Sequence, residues 1–238
     1  DRAREMLAEL AGRRVHDVAD IVGAELADNP AVACGLEIAL WDLIARSAGQ
    51  PLCNLWGGAY RTHIPLAVCI ETERLSSGQQ HVLELRESGF HHFVLLCTGD
   101  IASDAQAVSQ LHRQIGPSCQ IAADGRAQFS TAEALRFCDT LPQGAVCEFI
   151  DPLTDGDIAT ACSLARLCGI PLALKIAISS ERDVTALVRD QGIRGVYVDP
   201  YKVGGLLAAR RCLVVAAAGG LTASLSMPDV GVAAMAAI

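Results

Sequence analysis

The sequence predicts an α/β fold, a TIM-type barrel preceded by a helical segment, and three observations carry that prediction. From Thr62 onward, short apolar runs alternate with amphipathic stretches of helical period, the pattern of repeated strand–helix units on a parallel sheet. Seven such units follow one another at similar spacing, which favours a barrel over an open doubly wound sheet. No Gly-rich dinucleotide fingerprint follows the first strand, which weakens the nucleotide-binding alternative.

Residues 1–60 read as helices at 4–10, 16–27 and 30–48 with no strand between them, so the predicted domains are 1–60 and 61–238. Asn29 is the expected cap of the third helix, Pro30 suits its first turn and Gly49 ends it. Strand 62–70 then leads into helix 73–88, strand 92–97 into helix 103–115, and strand 119–123 into helix 130–140. Ser130-Thr131-Ala132-Glu133 reads as a capping box. Strand 146–150 precedes helix 157–168, strand 171–176 precedes helix 180–189, and strand 195–199 precedes helix 206–218. Strand 221–225 and a helix from Val230 complete the pattern.

Composition narrows the function classes. A 51% hydrophobic, 19% charged chain of 238 residues is globular and long enough for a large core. No apolar run approaches the roughly 20 residues of a membrane span, and the opening Asp1-Arg2-Ala3-Arg4-Glu5 is not a signal peptide. With net charge −8 and dispersed basic residues, no nucleic-acid footprint is present, and a small-molecule substrate is expected instead. The ten cysteines fall in apolar segments, among them Cys69, Cys97, Cys138, Cys147 and Cys212, without paired metal spacing. They read as reduced core residues of a cytoplasmic protein. Cys162 and Cys168, on one predicted helix with five residues between them, are too far apart to pair.

The chain has two lysines against seventeen arginines, and both lysines end apolar strand runs. Lys175 follows Ile170-Pro171-Leu172-Ala173-Leu174, and Lys202 follows the 195–201 run and precedes Gly204-Gly205. Strand C-terminal ends are where a barrel places its chemistry, and lysines beside apolar surface become bases or Schiff-base nucleophiles. A structural cation is the alternative for each. His91 and His92 fall at a strand start, the wrong end for a site.

The segment Glu37-Ile38-Ala39-Leu40-Trp41-Asp42-Leu43, with Gly49-Gln50-Pro51-Leu52 and Leu55-Trp56-Gly57-Gly58, resembles the enolase superfamily in its mandelate racemase and muconate lactonizing branch. The resemblance continues through Asp124, Asp151-Pro152-Leu153, the 171–180 run and the 199–205 run. It implies a capping domain beside a modified (β/α)7β barrel. It also implies a three-stranded sheet before Asp1 and a last strand after Ile238.

The resemblance further implies Mg²⁺ held by three carboxylates at the ends of the third, fourth and fifth strands, stabilising an enediolate after α-proton abstraction. Asp124 stands at the first ligand position, with Arg126 following it where its guanidinium could pair with Asp124. Ile150 stands at the second position and Lys175-Ile176 at the third. Asp151 adjoins Ile150, though strand alternation points it to the other face, and Glu148 shares the face of Ile150 one step deeper. One carboxylate beside two new cations predicts that Mg²⁺ is not bound. The implied Lys-x-Lys of the second strand falls on Val94 and Leu96. Asp199 and Lys202 match the sixth-strand arrangement, but its partner His is replaced by Ser224 and Ser226.

Three functions follow. The first is an isomerase or lyase of the racemase, cycloisomerase or dehydratase type, acting on a small carboxylate through Lys175, Asp199 and Lys202 beside Asp124. The second is a metal-free member with a binding or structural role. The third is Schiff-base chemistry at Lys175. A homo-oligomer is implied by the resemblance, with the apolar helix 206–218 as a candidate interface.

Overall fold

The computed structural model describes residues 12, 17, 26–59, 61–75, 79–190 and 192–227. The helices expected at 4–10 and 16–27 and the helix from Val230 lie essentially outside these residues. Among the described residues, seven strands form one sheet in strict sequence order: β1 (Ala67–Glu71), β2 (His92–Leu96), β3 (Gln120–Asp124), β4 (Glu148–Ile150), β5 (Leu172–Leu174), β6 (Gly195–Val198) and β7 (Thr222–Leu225). Pairing from β1 to β6 is parallel. Thr222 N–H donates to Arg194 O and Ser226 N–H to Val198 O along β7. A doubly wound sheet would reverse its order at a switch point, and this sheet never does.

Between strands run α3 (Thr72–Leu75), α4 (Gln79–Glu87), α5 (Ile101–Ile115), α6 (Thr131–Thr140), α7 (Ile158–Ala165), α8 (Glu181–Asp190), α9 (Pro200–Val203) and α10 (Leu206–Ala218), after α1 (Pro30–Ala48) and α2 (Leu52–Leu55). Several strands are shorter than their apolar runs. β1 starts beyond Pro65 and β5 immediately after Pro171, since proline donates no ladder hydrogen bond. α7 stops at Ala165, three residues before its expected end, and a turn at Arg166 and Leu167 follows. The capping box of α6 forms as expected: Ser130 Oγ accepts from Glu133 N–H, and the Glu133 carboxylate accepts from Ser130 N–H at 2.9 Å.

Alternation sorts the sheet into two faces. Val94, Ala122, Ile150 and Ala173 pack together on one, with Leu96 and Tyr197 against them. Phe93, Leu95, Ile121, Ala123, Phe149, Leu172 and Val196 are buried on the other. Burial on both faces explains why these strands read as continuous apolar runs. Phe129, Phe137 and Phe149 add a ring cluster with centroids 5.1 to 5.7 Å apart; each fully buried ring contributes about 1.5–3 kcal/mol of transfer free energy. Cys97, Cys162 and Cys212 are core residues, whereas Cys69 and Cys147 are exposed and Cys138 is partly so, which corrects the uniform core assignment.

The chain divides into two compact units, one of 1–62, 198–214 and 225–238 and one of 63–197 and 215–224. In the first, Cys34, Ile38 and Leu206 form a core with Leu52, Trp56 and Tyr201. Trp41 meets Trp56 edge to face at 5.3 Å, and the Arg210 guanidinium lies 5.7 Å from the Trp56 ring centre. Gly49 ends α1 in the left-handed region, as expected. Asn29 occupies the cap position, but its side chain makes no capping bond, a correction to the expected role. Asp42 pairs with Arg46 one turn on, at 2.8 Å.

The first unit also shows what surrounds Gly204-Gly205 at the start of α10. The anion at the N-terminus of α10 comes from the chain itself: Glu37 Oε1 accepts Leu207 N–H at 3.2 Å and Trp41 Nε1–H at 3.4 Å. Gly205, at φ +144°, leaves the space this carboxylate fills, because a Cβ there would land on Glu37 Oε2. Burial nevertheless raises the Glu37 pKa, with these hydrogen bonds opposing the rise. Along α10, Leu206, Ala209, Cys212 and Ala216 are buried while Val214 is exposed. No helix among the described residues is long and apolar enough to cross a membrane.

Candidate functional site

The site lies in the second unit, at the C-terminal ends of β3 to β5. Sheet register sets Asp124 beside Leu96 on one strand and Ile150 on the next. Asp124 is buried, and its Oδ2 meets Lys175 Nζ at 2.5 Å. Its Oδ1 accepts Arg126 N–H at 2.9 Å. The contact from Arg126 is therefore made by its backbone; the side chain is exposed, and the expected guanidinium pair with Asp124 is not among the described ion pairs. Lys175, one residue past β5, has a side chain 29% exposed, so its ammonium is reachable while anchored.

Asp151 does not continue the strand alternation. Its φ of +41° turns it out of β4, and its two carboxylate oxygens accept Lys175 N–H at 2.8 Å and Ile176 N–H at 2.9 Å. The carboxylate thereby fixes the turn that carries the Lys175 side chain. Burial raises the Asp151 pKa, opposed by those two N–H donors and the Lys175 charge.

The loops after β3 and β4 are joined along their length. Gly125 N–H donates to Ile150 O, Ala127 N–H to Asp151 O, Phe129 N–H to Pro152 O and Thr154 N–H to Phe129 O, all at 2.7 to 3.0 Å. This close approach requires Gly125, whose Cβ would sit 2.8 Å from Pro152 Cα. It also holds Arg126 at φ 50° and Ala127 at φ 56°, each costing about 1–2 kcal/mol for a residue with a Cβ. Phe129, in the ring cluster, anchors the joined loops to the core.

Below the ion pair the sheet face is apolar: Ile150 is buried against Val94, Ala122 and Ala173. Deeper still, Glu148 accepts Tyr197 O–H at 2.8 Å and Thr222 O–H at 3.5 Å, and burial raises the pKa of both the carboxyl and the phenol. Cys97 is buried and its thiol pKa is pushed up, first by burial and then by Asp104 and Asp124. Asp104 in α5 is fully buried and accepts from Thr98 N–H, Gly99 N–H and the hydroxyls of Thr98 and Thr72, at 2.9 to 3.2 Å. It organises the loop after β2.

Of the residues singled out in the sequence, the structure thus joins Asp124 and Lys175. Asp199 and Lys202 belong to the first unit. There Asp199 caps α9, its Oδ1 accepting Tyr201 N–H at 2.9 Å and its carbonyl accepting Lys202 N–H at 3.0 Å. Lys202 lies half-buried in that short helix. His92 opens β2, and His91 Nδ1 lies 3.7 Å from Cys119 Sγ, at the opposite end of the strands from Asp124. Glu37, Asp104 and the Glu148–Tyr197 pair carry structural hydrogen bonds that were not assigned from the sequence.

The sheet runs in barrel order and carries a polar cluster at the C-terminal ends of its third to fifth strands. Residues 79–238 match the enolase C-terminal domain-like family. The chain belongs to the enolase superfamily. Its branch is that of mandelate racemase and muconate lactonizing enzyme, and its fold is the TIM-type α/β class of that superfamily. Muconate cycloisomerase 1 of Rhodococcus opacus is 25% identical over 224 residues, which is 92% of this chain and 60% of that protein. Cis-3-hydroxy-L-proline dehydratase of Roseibium aggregatum is 24% identical, with 87% of this chain and 56% of that protein covered. The chain therefore spans somewhat more than half the length of these relatives. Among solved structures, a mandelate racemase/muconate lactonizing protein from Roseovarius nubinhibens, complexed with magnesium, is 27% identical with a TM-score of 0.79, covering 92% of this chain and 63% of that one. Other relatives are an epimerase and a racemase.

The Roseovarius nubinhibens relative is complexed with magnesium, as are others among the solved structures. A hard dication needs several oxygen ligands. Beside Asp124 the structure sets the buried side chain of Ile150 and the Lys175 ammonium, which is bonded to the Asp124 carboxylate. Among the described residues, no group of three Asp, Glu, His or Cys side chains could hold a metal ion. This donor set does not fit Mg²⁺.

Proposed function

We propose that this chain is the barrel part of a superfamily member that recognises a small carboxylate without Mg²⁺, the Lys175 ammonium standing where the family places its cation. The observation that carries the reading is the 2.5 Å ion pair between Lys175 and Asp124, with Ile150 beside it. An ammonium has three donors, and Asp124 takes one. The others are available to an anionic ligand at a side chain that is 29% exposed. Lys175 is held as a hydrogen-bond donor, so the arrangement offers a proton and a charge rather than a lone pair, which disfavours Schiff-base attack. The commitment of Asp199 to capping α9 likewise disfavours its use as a catalytic group.

A thermal-shift panel of hydroxy- and amino-acid carboxylates tests this. At least one ligand is expected to raise Tm equally in Mg²⁺ and in EDTA, and the rise is lost in Lys175→Met. A rise that requires Mg²⁺ refutes the proposal.

A second reading is favoured by the relatives, which are cycloisomerases, dehydratases, epimerases and racemases. In it the chain takes part in α-proton abstraction from the same class of carboxylate, Lys175 acting as the electrophile in place of the metal. Exchange of the α-proton into deuterated solvent distinguishes it from binding alone. We place the protein in the cytoplasm as a homo-oligomer, and light scattering of the purified chain tests the assembly.

A further inference from the structure

Ten cysteines are distributed over the chain, and two of them meet. Cys138 lies in the last turn of α6 and Cys168 in the turn between α7 and β5. Their sulfurs are 2.7 Å apart, both are partly exposed, and 30 residues separate them in sequence. A disulfide needs about 2.0 Å between sulfurs, so the pair has to close by only about 0.7 Å. Both sit at the strand-start side of the sheet, since α6 ends and β5 begins there, away from the strand ends that carry Asp124 and Lys175.

We propose that Cys138 and Cys168 are an oxidisable dithiol that closes to an intramolecular disulfide by exchange with a low-molecular-weight disulfide, tying the end of α6 to the α7–β5 turn. The reaction needs an attacking thiolate and a resolving thiol, and the pair is asymmetric in that sense. The two sulfurs share a hydrogen bond, and Ile170 N–H adds a second bond to Cys168, which together bring the Cys168 thiol down to about 7. The Cys138 thiol is pushed up by the same contact and by burial. Cys168, whose sulfur alone has the additional Ile170 N–H to stabilise a thiolate, is assigned as the first to react. Its thiolate attacks one sulfur of the disulfide RSSR, forming a mixed disulfide and expelling RS⁻. Cys138 then gives up its proton, attacks the Cys168 sulfur and expels the second RS⁻. The two thiolates leave as RSH with the two cysteine protons, so both cysteines are oxidised and RSSR is reduced.

The test uses the full chain, incubated at pH 7.5 with glutathione disulfide and then mapped under non-reducing conditions with fragmentation. A Cys138–Cys168 cross-link is expected, two thiols per chain are lost, and Tm rises by about 5 °C or more as the 30-residue loop is closed, reversibly with dithiothreitol. In Cys138→Ser, Cys168 is expected to accumulate as the glutathione mixed disulfide because the resolving thiol is gone. Cys168→Ser is expected to leave Cys138 largely unmodified. The proposal is overturned if the folded wild-type chain gives no such cross-link while exposed Cys69 and Cys147 are modified, or if the cross-link forms only in urea. It is equally overturned if Cys138→Ser loses two thiols as the wild type does. The wild-type map decides even if a variant folds poorly.

Discussion

Removing the Lys175 ammonium should cost far more than removing the Asp124 charge, although the two belong to one ion pair. In Lys175→Met the chain keeps a side chain of similar length but leaves Asp124, 2% exposed, with only the Arg126 N–H as donor. Stranding one member of a buried pair costs about 3–5 kcal/mol, and because the lysine side is 29% exposed and admits water, the lower end, about 3 kcal/mol, applies. In Asp124→Asn the amide oxygen still accepts the Arg126 N–H and the ammonium can turn to solvent, so the loss is about 1 kcal/mol. The double variant should also lie about 1 kcal/mol below the wild type, giving a coupling of about 3 kcal/mol. For a chain of this length 1 kcal/mol moves Tm by about 2–4 °C, so Lys175→Met should melt about 6–12 °C early and the other two about 2–4 °C early. Urea melts of the four proteins at pH 7 provide the free energies. If Lys175→Met is no less stable than Asp124→Asn, or if the two effects add, the pair does not hold the site together and the reasoning fails.

Four further outcomes follow from the same geometry. Ile150→Glu with Lys175→Asp rebuilds three carboxylates with Asp124, and Mg²⁺ at a hundredfold excess over Kd should then raise stability by about 2.7 kcal/mol, measured as a Tm shift absent from the wild type. Asp104→Ala should cost about 2–4 kcal/mol, because Thr98 N–H and Gly99 N–H lose their acceptor inside the protein; an unchanged urea midpoint would contradict this. Burial raises the Glu148 pKa, so between its unfolded value and its higher folded value the native state holds the extra proton and the wild type loses stability as pH rises. Glu148→Gln should therefore gain relative to wild type from about pH 4.5 upward, read from paired melts across pH 4 to 7. Gly205→Ala should destabilise by about 2 kcal/mol or more, since it adds a Cβ at φ +144° where the Glu37 carboxylate sits.

Much of the fold was legible because period and punctuation agree. Seven apolar runs at regular spacing became seven consecutive strands, and the Ser130–Glu133 box became a helix start. Boundaries failed where proline withheld a donor, at Pro65 and Pro171. At the site, Lys175 and Asp124 were readable as residues out of place for a metal, but not as partners. They are 51 positions apart, and only the parallel register brings them together. Arg126 misled because its charge suggested a side-chain role, whereas the backbone at φ 50° is what reaches Asp124. Asp104 was passed over because an acid in a first helical turn usually needs no tertiary explanation. The sequence sets Cys168 beside Cys162 on one predicted helix, while its partner Cys138 comes from the neighbouring strand–helix unit.

On the proposed reading, with Lys175 where the family places a ligand carboxylate, the site resists conversion to a metal site by single substitutions. Reverting Lys175 to an acid alone would set two carboxylates side by side with Ile150 still blocking the third position, a repulsive site too poor in oxygen to hold a dication. Introducing an acid at Ile150 alone would place it beside an existing ammonium and reinforce the pair that excludes the metal. Each single step backward is thus either harmful or entrenching, and the route home runs only through both changes at once. The Lys175–Asp124 pair thus leaves its surroundings free to vary while keeping a dication out against any one change.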